Sequence, residues 1–145
     1  MIRRLLAAGS IAASLIACGG PSPTPVPSSA PVIVTFEVNG DQRFKVLLTE
    51  PADIDIAQRL LAGQDAPGIP DGRIVRDTGV NDGYSWSLDP NDIRFTDETD
   101  AACDGSPSEV ETGQITDLRY CPSAAEVVSI DPLSPEPTPP APSGS

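Results

Sequence analysis

The chain contains no histidine, one lysine (Lys45), one tryptophan (Trp86), and aromatic residues at only 4% of its 145 positions. Without histidine the commonest general base is missing, and so is every Ser-His or Cys-His nucleophile pair. Metal ligation by mixed Cys and His is excluded for the same reason. Positive charge is scarce too, with nine Lys and Arg against 21 Asp and Glu and a net charge of −12. That balance opposes nucleic-acid binding, which needs cationic cover for phosphates, and docking of the domain itself on anionic lipid. The glycines around Gly79 and Gly83 match neither the phosphate-loop pattern nor the dinucleotide one. No basic amphipathic helix of the calmodulin-target type is present, so calmodulin is not an expected partner. Among catalytic chemistries only a carboxylate pair of the glycosidase kind remains available. One Trp in a domain of about a hundred residues makes a poor sugar cleft, and the expectation is a non-enzyme.

What the chain does have begins at its front. Arg3 and Arg4 precede an apolar run from Leu5 to Ala17, too short to span a bilayer as a mature helix and shaped like a secretory leader. It ends in Leu15-Ile16-Ala17-Cys18, which resembles the lipobox of bacterial lipoproteins. That resemblance implies cleavage before Cys18 and a diacylglycerol on its thiol, with acyl chains enough for stable membrane attachment. The alternative is an ordinary signal peptide that leaves Cys18 as a free thiol. Loss of Arg3 and Arg4 would leave seven basic against 21 acidic residues, a charge of −14.

Of the 17 prolines, eleven lie in two tails, which bracket one domain. Gly19 to Pro31 carries Pro21, Pro23, Pro25, Pro27 and Pro31 without a charge. It reads as a polyproline II stalk rising about 3.1 Å per residue, with a Pro-rich ligand segment as the alternative. Pro132 to Ser145 holds six more prolines and reads as disordered.

Between the tails, Val32 to Val38 is a β-branched run, Asn39-Gly40 a hairpin signal, and Arg43 to Thr49 the partner strand. Phe44 and Val46 alternate with Arg43 and Lys45, so one face of that strand is wet. The period then changes. Thr49 is the expected N-cap of a helix over residues 50–62, with Ile54, Ala57, Leu60 and Leu61 as its apolar stripe and Gly63 just past its end.

The central stretch runs from Gly72 to Cys103. Arg73-Ile74-Val75-Arg76 reads as a short strand. Tyr84-Ser85-Trp86-Ser87-Leu88 reads as a second, with Tyr84, Trp86 and Leu88 on one face. Asp89-Pro90-Asn91-Asp92 reads as a type I turn into a strand at Ile93-Arg94-Phe95. Tyr84 and Trp86 fit core packing, or the aromatic wall of a groove in which Asn81 and Arg73 would join them as a binding surface.

Those same residues carry a family likeness. Gly72, Arg73, Ile74 and Val75, then Asn81, Gly83, Ser85, Trp86, Leu88, Asp89, Pro90, Ile93 and Phe95, then Cys103-Asp104-Gly105 and Tyr120-Cys121-Pro122, resemble the N-terminal domain of a calmodulin-binding protein family. The likeness covers about residues 33 to 131 and departs at Ser123, where the family often has Trp. It informs the fold more than the activity.

From Asp97 to Glu111 come six carboxylates (Asp97, Glu98, Asp100, Asp104, Glu109, Glu111) and no base. They suit either a solvated loop or a calcium module using Asp97, Asp100 and Asp104, although no EF-hand spacing is present. If Cys18 is lipidated, Cys103 and Cys121 remain as an even pair in an exported protein and are expected to bond, contributing about 3 kcal/mol by loop closure. A last short strand covers Glu126 to Asp131.

The expected fold is α+β: one antiparallel sheet of about five to six strands against one helix, stapled by Cys103–Cys121. Its segments are a leader (1–17), a lipidated Cys18 and tether (18–31), the domain (32–131) and a tail (132–145). No cofactor or metal is expected. The expected function is a non-catalytic binding or interaction domain held outside the cytosol on the cell membrane, with a cationic or protein partner at the envelope. A calcium-dependent module and a carboxylate hydrolase are the alternatives.

Overall fold

The computed structural model describes Gly20 and residues 30–133. The leader, Cys18, the rest of the tether up to Ser29 and the tail beyond Leu133 lie outside the described residues. Strand β1 (Val32–Val38) and strand β2 (Gln42–Leu48) form an antiparallel hairpin in which Val38 faces Gln42 and Val32 faces Leu48. Asn39 and Gly40 both take positive φ at its tip (55° and 75°), the conformation that Asn and Gly adopt most readily. Alternation decides which side is buried: Val34, Phe36 and Val38 on β1, and Phe44, Val46 and Leu48 on β2, are all within the core.

Helix α1 covers Pro51–Leu61. Its N-cap is Glu50 rather than the expected Thr49. Proline at the first helical position drives the preceding residue into extended backbone, and Glu50 sits at φ −84°, ψ 128°. Ile54 and Ala57 are buried, while Leu61 remains 46% exposed, so the apolar stripe is narrower than its spelling suggests. Gly63 ends the helix at φ 70°. Its N–H donates to the Leu60 carbonyl and the Gln64 N–H to that of Arg59 (3.0 and 2.9 Å), the paired bonds of a Schellman motif.

Strand β3 (Ile69–Val75), strand β4 (Ser87–Thr96) and the two-residue strand β5 (Arg119–Tyr120) make a second sheet, ordered β4-β3-β5. Strand β6 (Ala125–Pro132) returns to the first sheet, ordered β2-β1-β6. Two three-stranded antiparallel sheets therefore replace the single larger sheet expected from the sequence. The outer edge of β2 is occupied by side chains instead of a strand: Asn81 Oδ1 accepts the Lys45 N–H (2.9 Å), and Gln42 Oε1 accepts the Ser108 N–H (3.0 Å). With those positions filled, β2 and β4 lie close without sharing a ladder.

Three further expectations are corrected. Helix α2 (Pro107–Glu111) is a second helix, placed where an acidic loop was expected. Ser106 and Glu109 form a capping box around Pro107, a start signal overlooked beneath the run of acids. The strand expected at Tyr84 begins only at Ser87, because side chains hold the preceding backbone: Asn81 Nδ2 donates to the Trp86 carbonyl (2.9 Å) and Glu111 accepts the Ser85 N–H (2.9 Å). Asp89 to Asp92 form an outward bulge within one continuous β4, where the register jumps between Gly72–Ile93 and Ile74–Leu88. The Asp89 carboxylate still accepts the Asn91 N–H (3.0 Å), so the turn chemistry survives inside a strand.

All six aromatic rings of the chain join in one cluster between the sheets. Phe36 stacks on Phe44 with centroids 5.3 Å apart, Phe44 meets Trp86 at 6.0 Å, and Tyr120 packs edge-on against Trp86 at 5.4 Å. Geometry of this kind adds to the burial energy of large rings. A chain with few aromatics thus gathers every one of them at one place. Among the described residues no helix is long and apolar enough to cross a membrane.

Candidate binding face

The outer face of the second sheet follows from alternation along β3. Gly72 points inward, where an added Cβ would lie 2.9 Å from Leu88 Cδ1, so Asp71 and Arg73 share the opposite face. Register places Asp71 across from Arg94 on β4 and Arg73 across from Arg119 on β5. Two arginines directly opposed are unfavourable unless each has a counter-ion, and the β4 bulge supplies it.

Six charges then alternate in one chain across the three strands. Arg73 reaches Asp89 at 2.5 Å and Asp92 at 3.5 Å. Arg119 reaches Asp92 at 2.9 Å and Asp71 at 2.6 Å, and its Nη2 also donates to the Asp71 carbonyl (3.2 Å). Arg94 donates from Nε and Nη2 to the other Asp71 oxygen (2.9 and 2.6 Å). Three arginines and three aspartates make a neutral ladder on a molecule of net charge −12.

Electrostatics separate its members. Asn91's backbone N–H and then Arg73 hold the Asp89 carboxyl below the usual carboxylate range. Burial draws the Arg119 guanidinium down, but Asp92 and Asp71 outweigh it and leave the group above its ordinary value. The side chains of Arg73 and Arg94 are mostly exposed, so their pairs contribute between nothing and about 1 kcal/mol each. Asp71 differs, with 9% of its side chain exposed and its carboxylate wrapped by two guanidinium groups.

A cleft of about 410 Å³ lies beside the ladder, with Asp71, Arg94 and Arg119 on one wall and Thr99, Cys103 and Cys121 on another. Cys103 and Cys121 are joined by a disulfide with Cα atoms 5.2 Å apart. The Thr99 hydroxyl donates to the Cys121 carbonyl (2.8 Å), and the Cys121 N–H donates to that of Cys103 (2.9 Å).

The residues singled out from sequence are dispersed by the structure. Arg73 stands in the ladder. Trp86 and Asn81 are completely buried, and Tyr84 is half-buried with its ring 5.5 Å from Trp86. These four do not form one surface. Trp86 Nε1 is the one buried side-chain polar atom without a hydrogen-bond partner among the described residues. Asp104 accepts the Ser123 N–H and hydroxyl (2.8 and 2.7 Å) together with the Gly105 N–H. Asp100 accepts the Ala102 N–H, and Asp97 lies at the surface. Among the described residues no group of three or more His, Cys, Asp or Glu is placed to hold a metal ion.

Sequence reading passed over Asp71, Asp89, Asp92, Arg94 and Arg119. A signal was present in Asp71-x-Arg73 and Asp92-x-Arg94, opposite charges at the period of a strand, which read as cross-strand partners once both segments are paired.

Comparison with known proteins bears on the family. The model of the calmodulin-binding-protein N-terminal domain, the family that the motifs between Gly72 and Pro122 resemble, matches residues 30–134. No curated protein and no solved structure matches the chain.

Proposed function

Because the chain belongs to the calmodulin-binding-protein N-terminal domain family, we propose that it is a binding module of the cell envelope, held outside the cytosol by lipid on Cys18, whose recognition surface is the mixed-charge face of β3, β4 and β5. The lipobox-like Leu15 to Cys18 supports the anchoring, and two acyl chains would make it stable. A disulfide between Cys103 and Cys121 suits an oxidising compartment.

The observation that carries the reading is the ladder itself. It sets planar guanidinium groups on a rigid sheet, beside a cleft, in a protein otherwise dominated by carboxylates. Arginine forks of this kind recognise partners through directional hydrogen bonds and fix register more than raw affinity. The partner is accordingly a protein surface with its own paired charges. Catalysis gains no support, because the Asp71 carboxylate is saturated by guanidinium donors and is not free to move a proton.

The test is a pull-down of the mature protein from its native envelope, run beside an Arg73→Ala/Arg94→Ala variant whose folding is checked through Trp86 emission. A partner recovered by the parent and lost with the variant supports the reading. Equal recovery by both removes the face from the function. Intact mass of the same sample reports the anchor, and a polypeptide starting at Met1 without acyl chains would overturn the location.

A further inference from the structure

We propose that the Cys103–Cys121 disulfide is a redox latch on the mixed-charge face, holding β5 and therefore Arg119 in the ladder, so that reduction frees this segment while the first sheet stays folded. The latch regulates the face proposed above and rests on that reading for its role, though not for its physics.

The segment from Asp97 to Cys121 is held more thinly than the rest of the fold. Strand β5 pairs with β3 through two residues, Arg119 and Tyr120, supplemented by the Ile74 N–H donating to the Leu118 carbonyl (2.8 Å). Strand β1, by contrast, has seven register pairs with β2. Elsewhere the segment is attached by single side-chain bonds: Ser108 N–H to Gln42, Arg76 to the Val110 carbonyl, and Ser85 to Glu111. Its apolar anchors are Val110, Ile115 and Tyr120. The disulfide follows β5 directly, at Cys121, and is the one covalent tie in this segment. Sub-global opening begins where such attachments are fewest.

Arg119 links the two halves of the ladder. Without it, Asp92 keeps only the 3.5 Å contact to Arg73, and Asp71 keeps only Arg94. A freed β5 therefore splits a neutral six-charge array into two pieces. Both cysteines line the cleft, which gives a reductant a route to the sulfurs. The step balances as thiol–disulfide exchange: a dithiol reductant gives up two electrons and two protons and closes its own disulfide, while the Cys103–Cys121 bond becomes two thiols.

Hydrogen exchange on the full chain, oxidised and then reduced with a dithiol, tests the latch. Reduction is expected to speed exchange at the Ile74 and Cys121 amides about a hundredfold, the loop-closure effect for a ring of this size. In the reduced protein those amides should exchange at least about tenfold faster than the β1–β2 amides. The Cys103→Ser/Cys121→Ser variant should reproduce this pattern. One common rate for both sets in the reduced protein overturns the proposal, as does an unchanged rate at Ile74 and Cys121, or a variant with no protected amide anywhere. No partner is present in this experiment, so a failed latch leaves the binding reading standing. Loss of the binding reading in the pull-down would likewise leave the exchange result intact.

Discussion

Replacing Asn81 probes how the free edge of β2 is closed. The side chain is fully buried and makes two bonds of opposite sense, accepting from the Lys45 N–H and donating to the Trp86 carbonyl, each at 2.9 Å. Asn81→Ala leaves a backbone donor and a backbone acceptor without partners, at a cost of about 1–3 kcal/mol each. Since Lys45 is only part-buried and its N–H can recover water, about 3 kcal/mol in total is expected. With a guanidinium slope of about 3 kcal/mol per molar, that lowers the unfolding midpoint by about 1 M. Asn81→Asp separates hydrogen bonding from size. Its carboxylate can still accept from Lys45 but turns a second oxygen toward the Trp86 carbonyl, so the folded pKa rises above the unfolded value of about 3.9. A raised folded pKa in an acid means that the deficit relative to the parent is small below about pH 4, grows as pH rises, and levels off above the folded pKa. A shift of about two to three units corresponds to roughly 3–4 kcal/mol at pH 7.5. Trp86, the sole tryptophan and wholly buried, reports unfolding by its emission. An Asn81→Asp variant with the parent's midpoint at neutral pH, or with a deficit independent of pH, would refute the two-bond account.

Four further outcomes follow from the same geometry. Gly72→Ala puts a methyl 2.9 Å from Leu88 Cδ1 and should cost about 1–3 kcal/mol by overpacking, with Leu88→Ala in the same chain restoring part of it in a double-mutant cycle. Asp71→Asn keeps the shape but removes the charge shared by Arg94 and Arg119; a loss of about 2 kcal/mol in chemical denaturation is expected, less than for a wholly buried pair because Arg94 is exposed. The carboxyls of Glu109, lowered by the Ser106 N–H and hydroxyl, and of Asp89, lowered by the Asn91 N–H and Arg73, stabilise the fold above their unfolded pKa values. That contribution should fade as pH falls through the depressed folded values, so melting temperature should drop below about pH 4.5, and a Glu109→Gln variant should show a shallower drop. Calcium or chelator should leave the melting temperature unchanged, since Asp104 is committed to Ser123 and Gly105, whereas a chelator-induced fall would restore the calcium reading.

Legibility in the sequence varied with the range of the interactions involved. Alternation in β1 and β2, the Asn39-Gly40 tip and the Gly63 helix stop all came through, because each depends on residues within a turn or two of one another. Glu50 took the cap from Thr49 for a reason also local, the restriction that Pro51 places on its predecessor. Trp86 was legible as an important ring but not as a fully enclosed one, since enclosure depends on Phe44 and Tyr120, 42 positions before it and 34 after it.

From the sequence alone came the strand periods, the paired cysteines, the aromatic poverty and the charge excess, since each is a property of neighbours or of composition. Tertiary structure alone decided that the strands divide into two sheets and that Asp71 meets Arg119 across 48 positions. Backbone partners along β2 were claimed by side chains of Asn81 and Gln42. Which polar group reaches a strand edge first is settled by packing in three dimensions, and no short stretch of residues encodes it.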